Sequence, residues 1–146
     1  MHHLDRLRQH ISDVPVHLKA FSETDLTQHA PDKWSRKQIL GHLIDSAINN
    51  LKRFTDAQFS EGTYQTTSYN QNQLVVVNQY QTLPLEHLLT LWSSLNTQIL
   101  YVAEVIPEVT LAQPVQYNGV AAETYTLDWI IEDYVAHLEH HLKTLL

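Results

Sequence analysis

The chain contains no cysteine, which excludes a disulfide framework, a cysteine nucleophile and a thiolate metal site. That silence favours a cytoplasmic setting. Basic residues are scarce: 9 Lys+Arg stand against 16 Asp+Glu, for a formal net charge of −7. Nucleic acid is therefore an unfavourable partner, because phosphate binding needs a basic face. No apolar run approaches the roughly 20 residues that span a bilayer, and no signal-peptide pattern opens the chain, so no membrane partner is expected. Internal repeats and low-complexity tracts are absent too. What is present is a chain of 146 residues, 43% hydrophobic and 17% charged, suited to one folded domain over 1–146. Histidine is abundant: there are ten, three of them between His137 and His141. Without thiols, any metal must be held by imidazole and carboxylate.

Four segments repeat apolar residues at three- and four-residue spacing, the signature of amphipathic helices. The first carries Leu4, Leu7, Ile11, Val14, Leu18 and Phe21, with Pro15 inside it predicting a kink or a restart. The second carries Leu40, Leu43, Ile44, Ala47, Ile48, Leu51 and Phe54. Ser35 and Gln38 give it a capping-box start, flanked by Trp34 and Ile39 at hydrophobic-staple spacing. The third begins near Pro84 and the fourth near Leu127. Helices of this length bury their apolar faces most simply against one another, which predicts an all-α four-helix bundle. The second connection, 59–83, is long and rich in Gln, Asn, Thr and Tyr, as a lid or crossover would be. Its neighbours Tyr64, Tyr69 and Tyr80 are candidates to close over a site. Asn118-Gly119 predicts a small hairpin in the third connection.

His137 and His141 are four residues apart, so a helix stacks them on one face at a spacing that lets both bind one ion. On a helical wheel with Leu127 at zero, His141 falls at about 320° inside the apolar arc, His137 at about 280° on its edge, and His140 near 220° outside it. Two imidazoles do not complete a site, since catalytic zinc takes three protein ligands. The third ligand must come from His42, His87, His17, His29 or a carboxylate. Periodicity does not select His42. It lies opposite the main apolar arc of its helix, beside Asp45, Ser46, Asn49 and Arg53, and reads there as part of a solvated face.

Two motifs carry a family resemblance. One is Trp34-Ser35-Arg36-Lys37-Gln38-Ile39-Leu40-Gly41-His42-Leu43-Ile44-Asp45-Ser46, followed by Asn49-Asn50 and Arg53-Phe54. The other is Asp133-Tyr134-Val135-Ala136-His137-Leu138-Glu139-His140-His141. Together, with the helix order and the long second connection, they resemble the DinB-like superfamily, four-helix bundles of DinB/YfiT type that bind a divalent metal. The resemblance implies that His42, His137 and His141 are the metal ligands. It further implies a metal-dependent transferase that joins a low-molecular-weight thiol to a small electrophile, with a metal-dependent hydrolase or a non-catalytic metal-binding bundle as alternatives. A homodimer is the implied oligomer. Three imidazoles suit Zn(II) or Ni(II), with Fe(II), Mn(II) and Cu(II) also compatible. Asp133, one turn before His137, and Asp45, three after His42, are candidates to orient the imidazoles. Asn49, Arg53 and Tyr69 are candidates to hold a small-molecule substrate. Five of the nine basic residues (Lys33, Arg36, Lys37, Lys52, Arg53) lie on or just before this helix, and Arg53 is the one expected to face substrate.

Overall fold

A computed structural model describes residues 2–146. The four long helices are α1 (His2–Lys19), α3 (Arg36–Asp56), α5 (Leu85–Glu104) and α7 (Leu127–Leu145), with short helices α2 (Glu23–Thr27), α4 (Gln71–Val77) and α6 (Glu108–Leu111) between them. Helix α3 packs on α5 and α7, and α1 packs on the same two, so α1 and α3 occupy opposite corners of the bundle. Leu7, Leu18, Leu40, Ile44, Phe54, Trp92, Ile99 and Ile131 fill the interior with no exposed surface. The four-helix bundle predicted from periodicity is the architecture observed. No helix among the described residues is long and apolar enough to cross a membrane.

Local chemistry explains most of the boundaries. Ser35 starts α3: its hydroxyl accepts from the Gln38 backbone N–H at 3.2 Å, and the Gln38 side chain accepts from the Ser35 N–H at 2.9 Å. Ser22 and Asp25 make the same reciprocal box for α2, inside a stretch that reads as a plain polar link. Helix α1 does not restart at Pro15. It continues through it, since a proline in a helix forgoes one hydrogen bond, and the buried Val14 and Leu18 beside it keep that turn packed.

The connections hold more structure than composition suggests. The second contributes strand β1 (Tyr64–Thr66), α4 and a 3₁₀ turn at Tyr80–Thr82. The third contributes strands β2 (Pro114–Tyr117) and β3 (Thr124–Thr126), joined antiparallel through the predicted turn. Asn118 and Gly119 have φ of 52° and 71°, and the Val120 N–H returns to the Tyr117 carbonyl at 3.0 Å. Both left-handed positions suit a tight hairpin turn, which Asn and Gly tolerate. Strand β1 pairs parallel to β2, in register Tyr64 with Val115 and Thr66 with Tyr117, so the sheet ties the two connections together at one end of the bundle.

From Ile39 to Ala47, α3 is buried on every side, including its polar residues. Two neighbours cause this. On one side the Tyr80 ring lies flat on Gly41, where an added Cβ would meet Tyr80 Cδ2 at 2.1 Å. The Tyr80 hydroxyl donates to Asp45 Oδ1 at 2.6 Å. On the other side lies α7, antiparallel to α3: the Arg36 side chain donates to the Leu145 carbonyl, and Phe54 meets Tyr134 ring to ring. A Gly41→Ala substitution forces Tyr80 off its seat. It is expected to lower stability by about 1–3 kcal/mol, read by denaturant unfolding, whereas Gly62→Ala meets nothing within 4 Å and reports only backbone strain.

Candidate metal centre

The antiparallel pairing of α3 and α7 brings His42 opposite His137 and His141. One ring nitrogen of each lies within 4.8 Å of those of the other two. Ring centroids are 4.7 Å apart for His42–His141 and His137–His141, and 5.9 Å for His42–His137. His42 is the inner member, 1% exposed; His141 is half-buried and His137 opens outward. His140 sits outside the cluster on the exposed side, as the wheel predicts.

His42 is the least ordinary of the three. Both of its ring nitrogens are buried, and neither has a hydrogen-bond partner. A buried polar atom left unpaired costs about 1–3 kcal/mol, and a structural core histidine normally donates to a carbonyl or carboxylate. Here the unpaired nitrogens sit among two further imidazoles instead. That donor set, all nitrogen and free of thiolate, fits a divalent cation of the borderline class. Trp34 tilts against the His42 ring with centroids 5.0 Å apart.

Neither Asp45 nor Asp133 makes a hydrogen bond to any of the three histidines among the described residues. Asp45 is 3% exposed; its Oδ1 takes the Tyr80 hydroxyl and its Oδ2 has no partner. It makes no hydrogen bond to any of the three histidines, so its observed work is to hold the second connection on α3. Burial raises its pKa, and the Tyr80 hydrogen bond opposes that shift. Burial chiefly, then the bond to Asp45, pushes the Tyr80 phenol well above its usual range. Asp133 lies one turn before His137. Burial lowers the His137 pKa, and the Asp133 charge works against that lowering.

Beside His137 a cavity of about 200 Å³ opens to solvent. Helix α3 lines it with Ser46, Asn50 and Arg53, and α7 with Asp133 and Tyr134. Tyr69 and Tyr117 come from the two sheet-tied connections. Arg53 and Tyr69 line this cavity. Asn49 does not: its side chain donates to the Asp45 carbonyl at 2.9 Å, while its neighbour Asn50 faces in. Helical spacing does not separate the two, since Asn49 lies nearer in angle to His42 than Asn50 does; its bond to the Asp45 carbonyl turns Asn49 away. Tyr117 had no local signal, because the β1–β2 pairing delivers it. Tyr80 does not close over the centre, and Tyr64 sits half-buried in β1, leaving Tyr69 as the one aromatic of that connection in the cavity wall. The other basic residues of α3 are occupied: Lys37 pairs with Glu23 at 2.6 Å, Lys52 with Asp56 at 2.8 Å, and Arg36 donates to backbone carbonyls.

Burial, then the neighbouring His141 and His137, lowers the His42 pKa from its ordinary 6.5 to about 4. His137 and His141 are shifted the same way, each mainly by burial. In metal-free protein the unfolded chain therefore binds more protons than the folded one between about pH 6.5 and 4. Stability is full above that window and falls as pH drops through it, with His42 contributing on the order of 3 kcal/mol. Denaturant unfolding of metal-free wild type and His42→Leu across pH 7.5 to 4 (roughly the window set by ordinary histidine titration) should show a shallower acid limb in the variant. Equal limbs would show that the buried imidazole is not held neutral.

The chain was compared with known proteins. The family model for the DinB superfamily matches residues 6–145. YfiT from Bacillus subtilis, described as a probable metal-dependent hydrolase with an unusual four-helix bundle topology, superposes with a TM-score of 0.79 at 21% identity over 94% of this chain and 81% of that one. A mycothiol-dependent maleylpyruvate isomerase superposes with a TM-score of 0.71 at 17% identity, over 97% of this chain but 58% of its own length. No curated protein matches. With nearly the whole sequence matched and the bundle shared, this chain belongs to the DinB superfamily.

Proposed function

We propose that this protein is a metal-dependent transferase that joins a low-molecular-weight thiol to a small electrophile at the His42–His137–His141 centre. The observation that carries the reading is the one-sided opening of the cluster: His42 is sealed, while His137 borders a polar cavity. A closed structural site would have no such opening. Zn(II) or Ni(II) is the proposed ion, with Fe(II), Mn(II) and Cu(II) compatible with the same imidazoles. A divalent cation held by three neutral imidazoles keeps its full charge and so favours the deprotonated form of a thiol or water beside it.

The residues do the remaining work. His42 stays neutral by burial, and therefore offers a lone pair rather than a proton at ordinary pH. Trp34 and α7 keep water from its ring. Arg53, held by the Thr67 carbonyl at 2.8 Å, presents positive charge to the cavity, and Tyr69 and Tyr117 wall it in. Asn50 and Ser46 supply polar contacts on the α3 side. The likeness to YfiT, described as a probable metal-dependent hydrolase, favours a second reading in which water replaces the thiol. The likeness to a mycothiol-dependent enzyme supports the thiol.

Metal analysis of purified wild type beside the His137→Ala/His141→Ala double variant tests the centre. Wild type is expected to retain close to one equivalent per chain and the variant little; equal content would end the reading. An ion at 100 times its Kd stabilises the fold by about 2.7 kcal/mol, so chelation is expected to lower the wild-type melting temperature by several degrees and leave the variant unmoved. Incubating the loaded protein with thiols and alkyl or epoxide electrophiles, with products read by mass spectrometry, separates the chemistries. A metal-dependent thioether supports transfer, and a metal-dependent water adduct supports hydrolysis. Metal binding without either product leaves a bundle that binds metal without turnover.

A further inference from the structure

We propose that the cavity beside the metal centre receives a zwitterionic headgroup, so that the small molecule it takes carries an ammonium and a carboxylate together, as an amino-acid thiol does. This rests on the thiol reading above for the identity of the sulfur, but the headgroup site stands on its own observations.

The first is a pair of opposite charges left apart. Arg53 and Asp133 both line the cavity, from α3 and α7 respectively, yet they do not pair with each other. Arg53 makes one side-chain hydrogen bond, to the Thr67 carbonyl, and Asp133 makes none among the described residues. Elsewhere the basic groups near acidic ones are paired: Arg6 with Glu139, Arg8 with Asp5 and Glu104, Lys37 with Glu23, Lys52 with Asp56. A molecule with complementary charges can bridge the two walls, its carboxylate toward Arg53 and its ammonium toward Asp133.

The second observation is that the cation is pre-positioned. The Arg53 guanidinium lies 5.8 Å from the centre of the Tyr69 ring and 5.9 Å from that of Tyr117, and the Thr67 carbonyl holds one of its nitrogens. A guanidinium has five N–H donors, so four remain for a planar carboxylate. Third, the other wall residues are Ser46, Asn50, Tyr69, Tyr117, Tyr134 and His137, so Arg53 and Asp133 are the only Lys, Arg, Asp or Glu side chains in the wall. Burial, followed by the Asp133 charge, pushes the Tyr117 phenol up to about 12, and it stays neutral. The walls thus present one positive and one negative side chain. Finally, about 200 Å³ is below the ~300–1,000 Å³ of drug-sized sites, which suits a molecule of amino-acid size.

Thioether probes read the headgroup without engaging a metal through a thiol. Binding of S-methyl-L-cysteine, 3-(methylthio)propionate (carboxylate only) and 2-(methylthio)ethylamine (ammonium only) is measured by NMR titration of the whole protein with and without one equivalent of zinc. S-methyl-L-cysteine is expected to bind roughly ten-fold tighter than either. Arg53→Gln should remove its advantage over the amine, and Asp133→Asn its advantage over the carboxylate. Equal binding of all three probes, or preferences unchanged in the variants, would overturn the proposal. A parallel arm adds L-cysteine to cobalt-loaded protein and looks for a sulfur-to-cobalt charge-transfer band. Selection of S-methyl-L-cysteine without that band keeps the headgroup site and removes the thiol reading. The band without selection does the reverse.

Discussion

A buried imidazole with no hydrogen-bond partner on either nitrogen is the constraint around which the structure is arranged. His42 sits in the middle of α3 at 1% exposure. Left alone there, it would be a cost of a few kcal/mol, and its depressed proton affinity means that protonation cannot relieve it. The fold does not satisfy it with a carbonyl. It places His137 and His141 against it from the antiparallel α7, which shares the burden among three lone pairs and makes sense when a cation joins them. The acidic side chain closest in sequence, Asp45, is turned to another task.

That task explains why α3 is buried all round. A helix with His42, Asp45 and Ser46 on one side looks half-exposed by pattern, yet all three are covered. Gly41 admits the Tyr80 ring, and Asp45 accepts its hydroxyl, so the end of the second connection is locked to the helix. The opposite flank is covered by α7. Between these coverings the polar residues divide: Asp45 fastens the connection, while His42, Ser46, Asn50 and Arg53 face the centre and the cavity. One helix therefore carries both the fastening and the chemistry, on neighbouring strips of its surface.

The helices were legible because they obey a single period over long stretches, and the caps at Ser35 and the turn at Asn118-Gly119 were legible because their chemistry is local. The His137–His141 pair was legible for the same reason, as spacing on one helix. His42 was not visible from periodicity, since its wheel position matches solvent and only the covering by α7 and Trp34 buries it; the family resemblance singled it out instead. Asn50 had no signal to set it above Asn49, which helical spacing places nearer His42; only the structure puts Asn50 in the wall and turns Asn49 to the Asp45 carbonyl. Strand β1 and the position of Tyr117 depend on pairing between segments some 50 residues apart, and no local pattern encodes that.

This division has a consequence for how such a protein can change. The three clustered histidines stand on two long helices whose relative position is set by the bundle core, with Phe54, Tyr134 and Ile131 packed between or beside them. The cavity wall, by contrast, takes Tyr69 and Tyr117 from connections, and it is the parallel pairing of β1 with β2 that sets both rings near the Arg53 guanidinium. Changing the sheet-bearing part of a connection therefore alters the wall without touching the three histidines, none of which lies on the sheet. Loops on a rigid scaffold commonly carry specificity in this way. Arg53 is the exception that links the two: it belongs to the ligand-bearing helix but is held in place by a loop carbonyl at Thr67. A change at the Thr67 part of the second connection would thus reach the cavity's charge through Arg53, whereas one at Tyr80 bears on α3 at Gly41 and Asp45, beside His42.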